Sequence, residues 1–299
     1  MSPKCHKMRS ITLLSLASAA VALSACSIHV NDRPRDAAPP PPVAQAAPGP
    51  LDDPRLIATL FMQRSEEFKR LSEQSYALAK IKLPAALSAP GSAALEQADG
   101  GAGKPPAAIF DVDETVLDNS PHMARAILKG ERDFNLATWD QWVGERRATP
   151  MPGAVDFVAE LRRNKVRVVF ITNRECKPRP ANPGDACPQH ADTLVNLKAA
   201  GFGDVAPADL MLKGQNGWPS DKASRRQEVA KTNRIVMSFG DQLSDMLTVT
   251  RQQGPDERAA IAARYKSLWE TRWIVIPNPT YGAWYDSIKE PVTNALRVE

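Results

Sequence analysis

The sequence predicts an α/β fold, with a doubly wound parallel sheet that carries helices on both faces. Short, unbroken apolar runs recur after residue 106, and such runs are typical of parallel strands buried on both sides. Segments with helical periodicity separate these runs, which favours strand–helix alternation in a single sheet. Polar and charged residues follow several of the runs directly, at the sheet edge where ligands collect in this fold class.

The first 25 residues have the composition of a secretory signal. Basic residues at 4–9 precede an apolar stretch at 11–25, which is too short for a membrane-spanning helix. The stretch ends in Leu-Ser-Ala-Cys at 23–26, which resembles the lipobox of bacterial lipoproteins and predicts lipidation of Cys26. Ser27 follows instead of Asp, which in lipoproteins implies sorting to the outer membrane. An ordinary signal peptide with a chance cysteine is the alternative.

The net charge of +4 is carried mainly by this signal. The chain has 38 basic and 34 acidic residues, and Lys4, Lys7 and Arg9 lie in the first 25, where Asp and Glu are absent. Without these three, 35 basic residues face 34 acidic ones, a net charge of about +1. The mature chain therefore gives no sign of a nucleic-acid partner, and the expected membrane contact is the lipid anchor.

The four cysteines have separate predicted fates. Cys5 is removed with the signal and Cys26 is lipidated, which leaves Cys176 and Cys187 in a proline-rich segment. In an oxidising compartment this pair predicts a disulfide, which would stabilise the fold by about 3 kcal/mol. A metal site formed with His190 is the alternative, although zinc usually takes four ligands.

The segments before the sheet are a tether, a helix and a loop. The tether at 26–52 is rich in Pro and Ala over 33–50, and polyproline geometry would span about 50 Å. Apolar residues at helical spacing predict a helix over 53–83, ended by Pro84. The Gly/Ala/Pro-rich residues at 88–106 predict a surface loop.

Five strands and four helices are predicted after that loop. The strands are 107–110, 166–171, 210–212, 235–239 and 274–276, and the helices are 153–163, 188–200, 221–231 and 256–271. The remaining segment, 116–152, is expected to be an insertion after the first strand. Trp139 and Trp142, three residues apart, are expected to pack one face of a helix in it.

The residues that follow the strands are chemically coherent. Asp111 and Asp113 come after the first strand, and on an extended segment they point the same way and can share one cation. Thr-Asn-Arg at 172–174 follows the second strand, Gly-Asp-Gln-Leu-Ser-Asp at 240–245 follows the fourth, and Lys222 lies near a helix start. An oxygen-rich set without a convergent histidine favours Mg²⁺.

At this point a family resemblance becomes clear. Asp111/Asp113, Thr172, Lys222 and Asp241/Asp245 are similar to the four motifs of haloacid-dehalogenase (HAD) phosphatases. The segments IFDVDETVLDNSP, PMPGAVDF, VFITNR and NPTYGAW resemble the class C acid phosphatases, also called surface lipoprotein 5′-nucleotidases. The resemblance runs from about residue 55 to the C-terminus, and it implies a HAD-like domain over 53–299 with a small helical cap at roughly 116–152.

The chain departs from the class C pattern at a few positions. His122 stands where the class has Tyr, and Met237-Ser238-Phe239 replace other apolar residues before Gly240. Gln242 replaces Asn or Thr, and Met246 replaces Phe. None of these changes removes a catalytic group, so they bear on substrate preference more than on activity.

The resemblance implies a mechanism and a metal site. Asp111 is the implied nucleophile that forms an aspartyl-phosphate, and Asp113 is the implied general acid and base. The implied Mg²⁺ ligands are the side chains of Asp111 and Asp241, the backbone carbonyl of Asp113, and Asp245 directly or through water.

The resemblance also implies substrate contacts. Thr172 and Lys222 would bind phosphoryl oxygens. Phe134 and Tyr281 match the two aromatics that sandwich a nucleotide base in the class C family, with burial of both in the core as the alternative. Arg146 and Asn173 are further candidates for substrate contacts.

The expected partners are phosphate-ester small molecules, with nucleoside monophosphates foremost, and the sequence leaves the oligomeric state open, a homodimer included. Two other functions stay open: a surface-binding lipoprotein on an inactive HAD fold, and a phosphotransferase that passes the phosphoryl group to an alcohol. A histidine acid phosphatase is excluded, because none of the four histidines lies in an Arg-His-Gly setting.

Overall fold

The computed structural model describes residues 49–298. The predicted signal, Cys26 and nearly all of the tether lie outside the described residues. Within residues 49–298, no helix is both long enough and apolar enough to cross a membrane.

A five-stranded parallel sheet forms the centre of the fold, and a two-stranded antiparallel ribbon lies apart from it. The strands are β1 (Pro106–Phe110), β2 (Leu117–Asp118), β3 (Thr149–Pro150), β4 (Arg167–Glu175), β5 (Leu210–Lys213), β6 (Arg234–Gly240) and β7 (Trp273–Val275). The order in the main sheet is β5-β4-β1-β6-β7, and β2 pairs with β3. Since β1 lies between β4 and β6, the carboxyl ends of these three strands are neighbours.

Ten α-helices accompany the strands in the described part of the chain. They are α1 (Arg55–Arg64), α2 (Glu66–Ser88), α3 (Ser120–Leu128), α4 (Leu136–Glu145), α5 (Ala154–Arg163), α6 (Pro188–Leu197), α7 (Ala223–Thr232), α8 (Pro255–Ala263), α9 (Lys266–Thr271) and α10 (Ala283–Asp286).

Both faces of the sheet are covered, as the unbroken apolar runs predict. Along β1, Ala108 and Phe110 pack into one hydrophobic cluster, together with side chains from α2, α5 and α6. Ala107 and Ile109 point to the other face and pack into a second cluster with α7, α8 and α9. Burying an Ile or Phe side chain contributes about 1.5–3 kcal/mol. The predicted doubly wound α/β class is therefore confirmed.

The predicted strands are all present, but several strands and helices begin or end at residues that the local sequence pattern did not predict. The strand predicted at 166–171 extends to Glu175, because β5 pairs with it beyond Thr172. The helix predicted at 188–200 ends at Leu197, and a wider turn over Lys198–Phe202 follows, with Gly201 at φ 96°. The helix predicted at 256–271 is divided into α8 and α9.

The prediction of one helix over 53–83 is wrong in two respects. The helix is broken at Ser65, whose hydroxyl accepts a hydrogen bond of 3.0 Å from the backbone N–H of Phe68 and so caps α2. Pro84 does not end α2, which continues to Ser88. Proline removes a donor to the carbonyl four residues back, here that of the exposed Lys80, where water can replace it.

The loop predicted over 88–106 is anchored more firmly than its composition suggests. Ala93, Ala94 and Gln97 are buried. The Gln97 amide donates to the carbonyls of Ala230 (3.0 Å) and Asn233 (2.8 Å), next to the start of β6. A single buried glutamine leaves no periodic signal, so the sequence showed only the Gly/Ala/Pro content.

Residues 117–150, which we call the cap, lie between β1 and α5, in the segment 116–152 where an insertion is predicted. The cap consists of the β2–β3 ribbon with α3 and α4 between its strands. Arg125 of α3 pairs with Glu145 of α4 at 2.7 Å, and Trp142 is buried between the two helices and the sheet. The ion pair links the two helices, while α3 packs mainly on α1 and α4 mainly on α6.

Candidate active site

The motif residues gather at the carboxyl ends of β1, β4 and β6, where the sequence predicts them. They come from four places in the chain, namely the segment after β1, strand β4, the start of α7 and the segment after β6, and the strand order brings these together. The residues at this edge are Asp111, Asp113, Thr172, Lys222, Asp241 and Asp245.

Three buried carboxylates form a candidate metal site. Asp111, Asp241 and Asp245 each offer one oxygen, and these oxygens lie within 4.8 Å of one another. Burial raises the pKa of Asp111 to about 7, against the pull of Lys222, with Asp245 and Asp113 adding repulsion. Burial, followed by repulsion from Asp245 and Asp111, raises the pKa of Asp241 well above its ordinary value. A hard divalent cation fits such a set of crowded oxygen donors.

Lys222 is the cation that the fold places against this cluster. It precedes the first residue of α7, and its Nζ donates to Oδ1 of Asp111 and, at 2.7 Å, to Oδ1 of Asp245. Burial alone would lower the pKa of Lys222, but Asp111 and Asp245 raise it above its ordinary value. The ammonium group is therefore held charged beside the candidate nucleophile.

The two aspartates after β6 are held by neighbours that the sequence did not reveal. Asn278, beyond β7, donates to Oδ2 of Asp241 at 2.8 Å. The backbone N–H of Gln242 donates to Oδ2 of Asp245 at 2.9 Å. Asp245 lies so close to the backbone of Gly240 that a Cβ there would overlap its side chain. This close approach is the physical requirement for glycine at the end of β6.

The carboxylate of Asp113 lies outside the metal cluster, which differs from the expectation that Asp111 and Asp113 share a cation through their side chains. The guanidinium of Arg174 donates to Asp113 through NH2 (2.8 Å) and Nε (3.0 Å). β1 ends at Phe110, so the strand alternation that predicts parallel side chains need not extend to Asp113, and the next residue, Glu114, has φ 57°. The metal role implied for the Asp113 backbone carbonyl stays a prediction.

Thr172 and Asn173 lie at the same edge of the sheet. The side chains of both are hydrogen-bonded to other residues of the protein. The fully buried Thr172 donates from its hydroxyl to Oδ2 of Asp113 at 3.2 Å. The side-chain oxygen of the exposed Asn173 accepts from Arg225 at 2.7 Å, and Arg225 also donates to the Thr172 carbonyl at 2.6 Å. Their predicted substrate contacts stay predictions.

The predicted substrate aromatics lie in contrasting surroundings. Phe134 is 69% exposed in the cap, so the alternative that it is a core residue is wrong. Its ring centroid lies 6.2 Å from that of Trp139. Tyr281 is half-buried, and its hydroxyl donates to the buried carboxylate of Glu114, one residue beyond Asp113. Their joint role in holding a base stays a prediction.

Arg146 ends helix α4 in a left-handed conformation and is engaged within the protein. Its Nε donates to the buried Asp192 of α6 at 2.7 Å, and its φ is 56°. The same carboxylate accepts from Arg179 at 2.6 Å. The structure thus gives Arg146 a role in joining the cap to α6, and its substrate contact stays a prediction.

The disulfide predicted between Cys176 and Cys187 is present, which excludes the alternative of a metal site built on these two thiolates. It closes the segment between β4 and α6. Arg179 within this segment reaches the cap, where it donates to Asp140 of α4 at 2.7 Å. The disulfide-closed segment is therefore one of the supports of the cap.

Four further residues complete the site and were missed or left without a role at the sequence level. Asn119, Glu114, Arg174 and Asn278 each hydrogen-bond a motif residue or a predicted substrate residue. The position of Arg174 after the second strand was a usable signal. The other three lie in irregular segments whose spacing carries no pattern.

Comparisons with known proteins agree with this geometry. The family described as HAD superfamily, subfamily IIIB (acid phosphatase) matches residues 57–284. The structure of the class C acid phosphatase from Bacillus anthracis is similar at 31% identity and a TM-score of 0.65, covering 80% of this chain and 89% of that one. A structure of that enzyme with tungstate bound matches at 30% identity and a TM-score of 0.65, covering 82% and 95%.

A curated plant protein is also similar. Acid phosphatase 1 from Solanum lycopersicum is 30% identical over 142 residues, which cover 46% of this chain and 51% of that protein. The match thus spans about half the length of the curated relative.

Proposed function

The chain belongs to subfamily IIIB of the HAD superfamily, a family of acid phosphatases and hence of phosphoric monoester hydrolases, and we propose that it hydrolyses phosphate monoesters with Asp111 as nucleophile. One observation carries the proposal. Asp111 sits at the end of the central strand, in contact with Lys222 and within 4.8 Å of the oxygens of two further buried aspartates. The similarity to a phosphatase that binds tungstate, a phosphate-like oxyanion, supports an oxyanion site at this edge.

In the first step, a carboxylate oxygen of Asp111 attacks phosphorus. A bond forms between this oxygen and phosphorus while the bond from phosphorus to the ester oxygen breaks. The protonated carboxyl of Asp113 gives its proton to the departing oxygen, so that an alcohol leaves and Asp113 becomes a carboxylate. Lys222 offsets the negative charge that otherwise repels the substrate from Asp111.

In the second step, water replaces Asp111. The Asp113 carboxylate takes a proton from the water as its oxygen bonds to phosphorus, and the Asp111–phosphorus bond breaks. Phosphate leaves, Asp111 is again a carboxylate, and Asp113 again carries its proton. The sum is one ester and one water converted to one alcohol and one phosphate.

The cation that we propose for the cluster is Mg²⁺. Asp111, Asp241 and Asp245 would hold it by side-chain oxygens, and the Asp113 carbonyl would add a ligand. When bound, it neutralises charge on the phosphoryl oxygens. The raised pKa values of Asp111 and Asp241 support the need for a cation, since two buried carboxylates this close resist joint ionisation without one.

Among phosphate monoesters, we propose nucleoside 5′-monophosphates as the favoured substrates. The exposed ring of Phe134 lies in the cap over the edge of the sheet, and Tyr281 is tied to the segment after Asp111 through Glu114. Stacking of a base on an aromatic ring contributes about 1–3 kcal/mol. The lipobox at Cys26 supports a location at the outer membrane, where phosphate esters that cannot be imported intact are met.

The replacement Asp111→Asn tests the nucleophile. We expect a folded protein whose turnover of nitrophenyl phosphate falls by more than about 1000-fold, because the amide cannot form the aspartyl-phosphate. Asp204→Asn, at an exposed aspartate, is the matched control and should keep its activity. Substantial turnover by Asp111→Asn would refute the assignment.

Chelation and a substrate panel test the metal and the leaving group. EDTA should abolish activity and Mg²⁺ should restore it. Nucleoside monophosphates, sugar phosphates and aryl phosphates should then be compared by kcat/KM. A clear preference for 5′-nucleotides would support the base-binding proposal, and a flat profile would contradict it while leaving the phosphatase assignment intact.

A further inference from the structure

The two oxygens of Asp113 have unequal surroundings. Oδ1 accepts three hydrogen bonds, from the amide of Asn119 (3.0 Å) and from Nε (3.0 Å) and NH2 (2.8 Å) of Arg174. Oδ2 accepts from the Thr172 hydroxyl at 3.2 Å, and its contact with Arg174 Nε is longer, at 3.3 Å. The carboxylate is thus anchored through Oδ1, which leaves Oδ2 as the oxygen with capacity to exchange a proton.

One of the Oδ1 partners is held by the cap helix α4. The buried indole N–H of Trp142 donates to Oδ1 of Asn119 at 2.8 Å. This bond fixes the orientation of the Asn119 amide, so that its N–H₂ faces Asp113. Asn119 is 3% exposed. Solvent water therefore has little access to replace the hydrogen bond from Trp142.

The other Oδ1 partner is held by the same helix. The Arg174 guanidinium lies 5.8 Å from the ring centroid of Trp139, one turn before Trp142, and Arg174 is 1% exposed on its side chain. The third guanidinium nitrogen, NH1, donates to the hydroxyl of Thr193 in α6 at 3.1 Å and so fixes the orientation of the group. Both anchors of Asp113 Oδ1 therefore rest on tryptophans of α4.

We propose that Trp139 and Trp142 are positioning residues for Asp113, and that α4 thereby directs Oδ2 of Asp113 toward the oxygen of the leaving group. The inference rests on the proposed function, in which Asp113 supplies that proton. The spacing of the two tryptophans predicts only that they pack one face of a helix. Their contacts with Asn119 and Arg174 add the role of orienting Asp113.

The proposal has a chemical consequence that packing alone does not share. An alkoxide leaves poorly unless it is protonated as the phosphorus–oxygen bond breaks, whereas nitrophenolate is a stable anion that needs no proton. A misdirected Asp113 must therefore slow alkyl esters more than aryl esters. kcat/KM reports the first step, up to departure of the alcohol, and so isolates this effect from the later attack of water.

The test is Trp142→Phe in the full chain, which removes the indole N–H and keeps an aromatic ring. We expect kcat/KM for glycerol phosphate to fall about tenfold further than that for nitrophenyl phosphate, as part of the general-acid contribution is lost. Glycerol phosphate carries no base, so loss of stacking cannot produce the difference. Arg174→Lys, which keeps the charge and loses the fork, should give the same selective loss if Trp142→Phe folds poorly.

Trp273→Phe is the matched control. Trp273 is equally buried and donates its indole N–H to the Ala93 carbonyl at 2.6 Å, but it lies at the start of β7, away from the site. It should lower stability without changing the ratio of the two substrates. An equal fall for both substrates in Trp142→Phe and Arg174→Lys would overturn the proposal. Absence of all activity in the unmodified chain would instead refute the proposed function.

Discussion

At the residue scale, the site depends on a few positions where backbone and side chain come unusually close. Gly240 allows Asp245 to fold back beside β6, and Glu114 takes a left-handed φ of 57° directly after Asp113. A left-handed conformation is uncommon for a residue other than glycine, and here it lies in the turn that carries two motif aspartates. These two positions shape the segments that carry the motif aspartates.

Gly240→Ala should impair the metal site while leaving the fold intact. The added methyl would overlap Asp245, so that carboxylate must move away from Asp111 and Asp241. We expect the Mg²⁺ concentration for half-maximal activity to rise at least about tenfold, in line with losses seen when metal ligands are misplaced. Titration of activity with Mg²⁺ measures this, and Gly254→Ala, in open space, is the control. An unchanged titration would exclude Asp245 as a ligand.

Phe134→Ala should separate base binding from catalysis. Because the ring is 69% exposed, its loss should hardly change stability. We expect KM for a nucleoside monophosphate to rise about tenfold, which corresponds to the stacking contribution, while glycerol phosphate is turned over as before. Steady-state kinetics on both substrates make the comparison. If both KM values rise equally, Phe134 supports the cap and does not hold a base.

At the element scale, the cap is attached by ion pairs as well as by packing. Arg179, from the disulfide-closed segment, bonds both Asp140 of α4 and Asp192 of α6. Burial raises the pKa of Asp140, but hydrogen bonds from Arg179 and Gln189 outweigh this effect and hold the pKa below its ordinary value. The cap therefore depends on a segment that is far from it in sequence.

Arg179→Met should loosen the cap. It removes the cation that Asp140 and Asp192 share, while Asp192 keeps its pair with Arg146, and losing charged hydrogen bonds of this kind costs about 1.5–3 kcal/mol. Amide hydrogen exchange over α3 and α4 should accelerate, with little change in the central strands. Arg163→Met, which removes an exposed pair with Glu160, is the control. Uniform acceleration throughout the domain would show that Arg179 stabilises the whole fold and has no special link to the cap.

The start of α1 should make stability depend on acid pH. Hydrogen bonding to Arg55 holds the pKa of the buried Asp53 below its ordinary value, against the opposing effect of burial. A lowered pKa in the folded state stabilises the fold above the ordinary value near 4, and the stabilisation is lost as pH falls through the folded-state value.

Asp53→Asn should therefore be less stable at pH 7 by about 2 kcal/mol, and the difference from the unmodified chain should shrink below about pH 4. Denaturant unfolding at pH 7, 5 and 3 measures both effects. Asp286→Asn, at an exposed aspartate, should show neither. A difference that persists unchanged at pH 3 would contradict the ionic origin of the stabilisation.

At the scale of the whole molecule, one sheet carries the chemistry and the covering helices exclude water from it. The strand order places β1 at the centre, so that residues from β4 and β6 flank Asp111 on either side. The predicted signal and lipobox lie before residue 49. In our proposal they direct the protein to a membrane, where the lipid on Cys26 anchors it.

Cys26→Ser should change the location of the protein and leave its chemistry intact. Without the acylated cysteine the protein should move from the membrane fraction to the soluble fraction, because no other anchor is proposed. Its kcat/KM on nitrophenyl phosphate should equal that of the lipidated protein, since Cys26 lies outside the domain. Cys5→Ser, within the predicted signal, is the control. Membrane retention of Cys26→Ser would contradict the lipobox assignment.

The sequence by itself determined the fold class, the five strands and the motif residues. Unbroken apolar runs and the polar residues after them are local patterns, and a parallel sheet brings strand ends together whatever its details. The interruption at Ser65, the continuation through Pro84 and the anchoring by Gln97 were not predictable, because each depends on partners that pack against the segment.

Only the tertiary structure decided how the site is supported. Asp113 accepts hydrogen bonds from Arg174 of β4, 61 residues further along the chain, which spacing cannot reveal. Asn278 reaches Asp241 across 37 residues, and Trp142 reaches Asn119 from another helix. Such contacts join segments that lie apart in the chain, so they follow from packing. Sequence therefore supplied the reacting groups, and the fold supplied their orientation.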